Sequence, residues 1–450
     1  MLVFRRRTQT AVALLLLATT PAMTRAQTVP PVAAAAPAAP ASPLDTFEAA
    51  WRVLKDNHVA RTASGVDLDA LAAELRPRAA KAASDAEVRA VIREMLDRVG
   101  QSHFAILPAS TASAMTSSAI GPTDVGTLGF DVRLIDSELV VSHVDEGGPA
   151  DRVGIRTGWT LARIGPRPVE ASLAGLGDGP AHARGFRAWA LGTALLRGRA
   201  GESTDLGFID GAGRDVTRQV VRAPERGQPV KLGHLPTLFA RLDHRRVERG
   251  TTAIGVIAFN VWMTPISRQF DEAVDALRDT SGIIIDLRGN PGGVLTMIMG
   301  LSGHFVDSPL NLGTITTRDS SLKLVANPRT VGVAGQPVTP FDGPIALLVD
   351  EGSYSASEIF SGGMQSIRRA RVFGARTAGG ALPAVLERLP SGDVLQYAIG
   401  DFVTATGERI EGHGVVPDTL VAPSRADLLA GRDPVLEAAL DWIVKGHRAP

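Results

Sequence analysis

The chain contains no cysteine, which excludes a disulfide framework and a lipid-bearing cysteine behind an export signal, while leaving an oxidising compartment tolerable. It has no net charge either. Lys+Arg and Asp+Glu stand at 47 each, so no overall field draws it to nucleic acid or to an anionic membrane. No His-Glu-x-x-His or comparable spacing points to zinc, and neither Walker nor dinucleotide glycine spacing points to a nucleotide phosphate; no metal or other cofactor is expected. The apolar run near the N-terminus is too short for a comfortable membrane span. What is present is 450 residues, 44% hydrophobic and 21% charged, a composition that supports two or three globular domains with real cores.

Arg5, Arg6 and Arg7 precede an apolar stretch from Ala11 to Ala18 and a small-residue site at Thr24-Arg25-Ala26. This is the pattern of an export signal over residues 1–26, with an uncleaved anchor as the alternative. The mature protein is therefore expected to be periplasmic or secreted, with no membrane span once the signal is cleaved. An Ala/Pro linker over 27–43 cannot bury a core. A small helical domain is expected over 44–117: Phe47, Trp51 and Leu54 share a helical face, and Ser84-Asp85-Ala86-Glu87 opens a helix. Val88, Ile92, Met95 and Val99 form its inner side, and Gly100 ends it. A β-rich segment over 118–225 contains Gly126-Thr127-Leu128-Gly129-Phe130 and the turn Gly148 to Trp159. From 226 to 446 apolar strands alternate with amphipathic helices, the mark of an α/β core.

Within that core, Asp350-Glu351-Gly352-Ser353-Tyr354-Ser355-Ala356-Ser357-Glu358 follows the apolar run Ile345–Val349. A serine at a strand-to-helix junction sits on a tight turn beside free backbone N–H groups, where a nucleophile gains most. The plainer reading is that these serines cap the helix, with Ser355-x-x-Glu358 as a capping box. Two further segments stand out, Asp286-Leu287-Arg288-Gly289-Asn290-Pro291-Gly292-Gly293 and Glu411-Gly412-His413-Gly414-Val415-Val416-Pro417-Asp418.

Taken in chain order, the three segments resemble the motifs of the C-terminal processing, or tail-specific, proteases of family S41 and their tricorn-like relatives. The resemblance implies a crotonase-like or ClpP-like core of stacked ββα units, with Ser355 as nucleophile. It implies an oxyanion site formed by the N–H of Ala356 and one from Gly292 or Gly293. The β-rich segment resembles a PDZ domain, whose loop at Leu128, Gly129 and Phe130 would bind a peptide carboxylate; Trp159 stands where that family usually has Asp. In the processing-protease branch the base is a lysine, and its position falls on Gly380. No lysine occurs between Ser355 and Lys445, so a Ser-Lys dyad is excluded. The wording Arg376-Thr377-Ala378-Gly379-Gly380 is instead similar to the tricorn-like branch. That likeness implies His103 as base, with Ser102 and Glu411 orienting and polarising the site. His413, beside Glu411, is the rival base.

The expected activity is that of an exported serine endopeptidase acting on unfolded or C-terminally exposed polypeptides through an acyl-enzyme. A non-proteolytic peptide- or apolar-ligand-binding protein on the same fold is the alternative, and acyl-CoA chemistry on a crotonase-like core a weaker third. Polypeptide substrates are the implied partners; a homo-oligomer is among the states the sequence leaves open.

Overall fold

The computed structural model describes residues 42–57, 65–108, 124–233 and 237–446. The expected signal, the linker up to residue 41 and the Ser/Thr/Ala connector 110–118 lie outside them. Pro43, placed in the linker by sequence, opens the first helix, Pro43–Asn57, where its missing N–H is no loss.

The site is built on a six-stranded sheet in the order Leu242–Arg249, Thr252–Phe259, Ile283–Asp286, Ile345–Val349, Arg371–Gly374, Thr419–Leu420. The first pair is antiparallel and every later pair parallel. Both faces are covered, so the inner strands are continuously apolar. Ile283, Ile285, Leu347 and Val349 face helices Thr264–Leu277 and Ala356–Ser366. Ile284, Ala346 and Leu348 face helix Pro434–Val444. Helix Thr264–Leu277 anchors through Ile266, Phe270, Val274 and Leu277, all buried, and each contributes about 1.5–3 kcal/mol. A three-stranded sheet, Ser321–Ala326, Leu310–Thr317 and Gly400–Thr404, closes the outer side of this layer. This is the α/β core that the alternation of elements predicts.

The N-terminal helices Pro43–Asn57, Leu68–Ala80 and Asp85–Val99 pack around Phe47, Leu54, Val88, Ile92 and Met95. Ser84 accepts the Glu87 N–H at 3.3 Å, and Gly100 takes the left-handed conformation (φ 66°) that stops the helix. Trp51 stays half-buried, its ring under Lys55 and Arg76. The bundle does not close on itself: Leu389, Leu395 and Tyr397 of the hairpin Ala384–Arg388/Val394–Ala398 complete its core. Strand Ala105–Leu107 pairs with that hairpin, Ile106 opposite Leu395, and Arg89 reaches the fully buried Asp393 at 3.1 Å. These contacts fix where the short Gly100–Phe104 connection lies.

In the β-rich segment a sheet runs Phe130–Ile135, Glu138–Val144, Thr160–Ile164, Ser203–Ile209, Asp215–Val221. Helix Ala181–Leu196 crosses its first strand, so closely at Gly192 that a Cβ there would lie 2.5 Å from Val132 Cγ2. Trp159 stands edge-on to Phe208 at 5.8 Å with the Arg218 guanidinium over its ring; an apolar core takes up the departure from Asp.

Candidate active site

Strand Ile345–Val349 ends in the turn Asp350–Ser355, and helix Ala356–Ser366 begins one residue later. Two of the three serines at this junction have structural work. Ser353 Oγ donates to Leu287 O at 2.7 Å, and Ser357 Oγ donates to Asn290 O at 3.0 Å while accepting from Trp262 Nε1 at 2.9 Å. Neither contact caps the helix: the capping box expected from sequence falls on Ser355, the N-cap, and Glu358. Ser355 itself is half-buried and takes φ 54°, ψ −117°, a conformation costing a residue with a side chain on the order of 1–3 kcal/mol. Glu358 holds it there. Its buried carboxylate accepts Ser355 N–H at 3.2 Å, Gly380 N–H at 2.9 Å, Gly379 N–H at 2.7 Å and the Thr377 hydroxyl at 2.5 Å. The residue expected to complete a capping box therefore also ties the turn to the 377–380 loop.

The glycine turn lies against this elbow. Asn290, fully buried, is its keystone: Oδ1 accepts Gly292 N–H at 3.0 Å, Nδ2 donates to Phe259 O, and its carbonyl accepts Tyr354 N–H at 3.1 Å. Because Gly292 N–H is committed to Asn290, it is not a free donor; Gly292 matters for its bare Cα. Neither Ala356 N–H nor Gly293 N–H is spent on a backbone carbonyl among the described residues. Asp350 braces the turn by accepting Gly289 N–H at 2.8 Å and Gly352 N–H at 2.9 Å. Arg133, from the first strand of the β-rich sheet, meets Asp350 at 2.7 Å, and this buried partner holds the Asp350 carboxyl below the ordinary carboxylate range against the opposing effect of burial.

His103, 8% exposed, follows the Gly100 stop with φ 62°. Its Nδ1 lies 2.8 Å from Ser102 Oγ and 3.1 Å from the Tyr354 hydroxyl, and its ring stacks on Tyr354 at 4.6 Å. Ser102 Oγ donates to Glu411 Oε2 at 2.8 Å; the same carboxylate accepts Ser102 N–H at 2.8 Å and Ala381 N–H at 3.0 Å. With its one proton directed to Glu411, Ser102 Oγ can only accept from the imidazole. That selects the Nδ1–H tautomer and leaves Nε2 with its lone pair. Burial pulls His103 down to about 3 and pushes Glu411 up against its donors. The structure thus brings Ser102, His103 and Glu411 together, with the imidazole on the ring of the residue preceding Ser355. No hydrogen bond joins His103 to Ser355 Oγ among the described residues, a separation common in sites that tighten only around substrate.

The rival His413 is exposed, and its Nδ1 faces its own backbone at Glu411 O, 2.9 Å away. His304 is fully buried on Asp271 at 2.7 Å, His143 pairs with Asp145, and His244 is exposed on a strand; His58, His234 and His447 lie outside the described residues. His182 opens helix Ala181–Leu196 close to Gly379. Among the described residues no group of His, Asp and Glu has the arrangement of a metal site.

Of the PDZ-like loop, Leu128 and Phe130 are buried and Gly129 N–H is taken by Thr127 Oγ1 at 3.0 Å. A cavity of about 240 Å³ runs from Thr127 and Leu128 between strand Phe130–Ile135 and Trp189, Thr193 and Leu196 of the crossing helix. It ends on Gly289 and Pro291 of the glycine turn. The strand's outer edge pairs with no other among the described residues, which leaves main-chain groups for an added peptide strand.

The titration of Glu358 has two consequences of opposite sign. Burial pushes Glu358 up to about 7 despite its donors, so the fold favours the protonated form: its stabilising effect is full below the ordinary value of 4.5 and is lost as pH rises through 7. The tether works the other way, because a protonated carboxyl turns an O–H toward N–H groups that need an acceptor. His103 stays neutral throughout this window. An acid limb in Ser355 acylation near pH 7 is therefore expected to belong to Glu358. Glu358→Gln should acylate slowly and without that limb, measured as phosphonylation rate from about pH 5 to 8.

Residues 253–421 match peptidase family S41, and residues 40–97 match the tricorn protease C1 domain. A probable CtpA-like serine protease of Staphylococcus haemolyticus is 30% identical over 297 residues, 66% of this chain and 52% of that protein. One of Staphylococcus aureus strain N315 is 25% identical over 308 residues, covering 65% and 52%. The chain thus spans about half the length of the curated relatives it matches. Among solved structures, mature CPAF complexed with lactacystin superposes with a TM-score of 0.62 at 15% identity, covering 90% of this chain and 99% of that one. The photosystem II D1 C-terminal processing protease superposes with a TM-score of 0.57 at 20% identity, covering 85% and 94%. These likenesses extend the shared fold well beyond the matched family segment.

Proposed function

Since residues 253–421 match peptidase family S41, we propose that the chain is an exported serine endopeptidase of that family that cleaves unfolded or C-terminally exposed polypeptides through an acyl-enzyme. The observation that carries this reading is the run from Glu411 through Ser102 to His103 Nδ1, ending beside the Ser355 elbow. In the proposed cycle Ser355 Oγ attacks the scissile carbonyl carbon as its proton passes to His103 Nε2. The carbonyl π pair moves onto oxygen, where Ala356 N–H and Gly293 N–H donate to it. The tetrahedral species collapses as His103 passes the proton to the leaving amine. Water then repeats the sequence on the ester and frees Ser355. Burial keeps the imidazole neutral between turnovers, and Glu411 stabilises the imidazolium through Ser102. The β-rich segment acts as a PDZ-like module, with the C-terminal stretch of a substrate added along strand Phe130–Ile135 in the cavity that ends at the glycine turn.

The competing reading, a binding protein on the same fold, draws on the missing bond between His103 and Ser355. A fluorophosphonate separates the two. Intact-mass measurement should show one adduct on the wild type, peptide mapping should place it on Ser355, and a casein-like substrate should be degraded. Equal labelling of wild type and Ser355→Ala would end the nucleophile assignment.

A further inference from the structure

Position 380, where the lysine branch of the family carries its base, is glycine here, and its surroundings give a physical reason. Gly380 has no positive φ that would require glycine. A Cβ on it, however, would collide with the Tyr354 ring, lying 2.7 Å from Cζ and 2.9 Å from the hydroxyl oxygen. The tyrosine fills the volume into which a side chain at 380 would grow. The same ring stacks on the imidazole of His103 at 4.6 Å and 15°, and on Phe186 at 4.5 Å and 15°. Its hydroxyl lies 3.1 Å from His103 Nδ1. Phe186 belongs to helix Ala181–Leu196, whose Trp189 packs against Gly352 in the same turn. The ring is thereby fixed from the β-rich segment on one side and by the elbow backbone on the other.

We propose that Tyr354 is the positioning residue of the base in this chain: it occupies the space vacated at position 380 and holds the His103 imidazole by stacking and by its hydroxyl, so that residues 354 and 380 work only as a matched pair. The proposal rests on the reading of Ser355 and His103 as nucleophile and base. Two contacts, with the neutrality of the phenol beside them, argue for it over simple core packing. The hydroxyl is turned to the nitrogen opposite the reacting one. Burial holds the phenol well above its ordinary value, so it keeps its proton and remains a neutral partner. The ring stacks on the imidazole nearly face to face, which restricts rotation about the side-chain axis that would swing Nε2 away from Ser355.

The test is a double-mutant cycle on the full chain, read as the rate of Ser355 phosphonylation and as kcat and KM on a peptide substrate. Tyr354→Phe keeps the stack and loses the hydroxyl; kcat should fall about tenfold with KM unchanged. Gly380→Ala drives a methyl into the ring and should cost about 100-fold in kcat. Tyr354→Ser removes the ring, and in that background Gly380→Ala should cost less than about threefold because the collision is gone. Losses that simply add in the double variant, or a Tyr354→Phe enzyme with wild-type kcat, overturn the proposal while leaving the nucleophile and base in place. A wild type that is not labelled at Ser355, or a His103→Ala variant labelled at the wild-type rate, overturns the underlying reading and the proposal with it. Thermal melts of each variant show whether a loss reflects unfolding, and Tyr354→Phe, which removes one oxygen, keeps the test decisive if Gly380→Ala does not fold.

Discussion

His103→Ala should lower kcat/KM on a polypeptide substrate by about three to four decades and slow phosphonylation of Ser355 in parallel, with little change in KM. The size follows from what the side chain does alone. A serine hydroxyl cannot attack a carbonyl at useful rates without a base, and among the described residues no other imidazole shares its surroundings. Lysine is absent between Ser355 and Lys445, so no amine stands where the lysine branch carries its base. Because the imidazole contacts the turn rather than the cavity beside strand Phe130–Ile135, substrate binding should survive. Ser102→Ala and Glu411→Gln act through Nδ1 and should cost about one to two decades each. His413→Ala should stay within about twofold, since that ring is exposed and turned to its own backbone. A His103→Ala enzyme with wild-type labelling, or a His413→Ala enzyme without it, would reassign the base.

The uneven legibility of this chain has physical causes. The strand Ile345–Val349 is bounded in the structure as its apolar run predicts, and helix Thr264–Leu277 buries Phe270, Val274 and Leu277 as their spacing requires; periodicity suffices where a face meets one core. The serine cluster is legible at its strand-to-helix junction, whereas Ser102, His103 and Glu411 stand out only through their likeness to the tricorn-like branch. What could not be read is what depends on backbone groups distant in sequence. Glu358 looks like a capping residue because two of its acceptor contacts are N–H groups of Gly379 and Gly380, which carry no side-chain signature. Gly292 reads as a donor until Asn290 Oδ1 is found holding its N–H. The N-terminal helices look self-sufficient, yet Leu395 and Tyr397 complete their core, and a short hairpin does not announce its partner. Tyr354 reads as a spacer between two serines; only a bare Cα at Gly380 and a ring on His103 reveal its surroundings.

Gly292→Ala should produce the second large loss, about two to three decades in kcat, from a residue that contributes no functional group. Two constraints act together there. Its φ of 88° is one that a residue with a side chain rarely adopts. A Cβ would also lie 2.7 Å from Tyr354 O, 2.8 Å from Ala356 N and 2.8 Å from Ser355 Cβ. None of these is the free end of a flexible side chain; all belong to the elbow, which Glu358 and Asn290 hold from below. Relief can come only from separating the glycine turn from the elbow, which pulls Gly293 N–H away from Ala356 N–H and opens the pocket where an oxyanion would sit. The fold should tolerate this, because the sheet beneath is continuous and buried on both faces. Gly300→Ala supplies the contrast: it is exposed within the short helix Met297–Ser302 with nothing within 4 Å of the new methyl, and should be fully active and no less stable. The discriminating measurement is phosphonylation rate beside melting temperature. A Gly292→Ala protein that melts like the wild type and reacts a hundredfold more slowly locates the loss at the junction of turn and elbow, whereas equal reactivity would move the oxyanion site elsewhere.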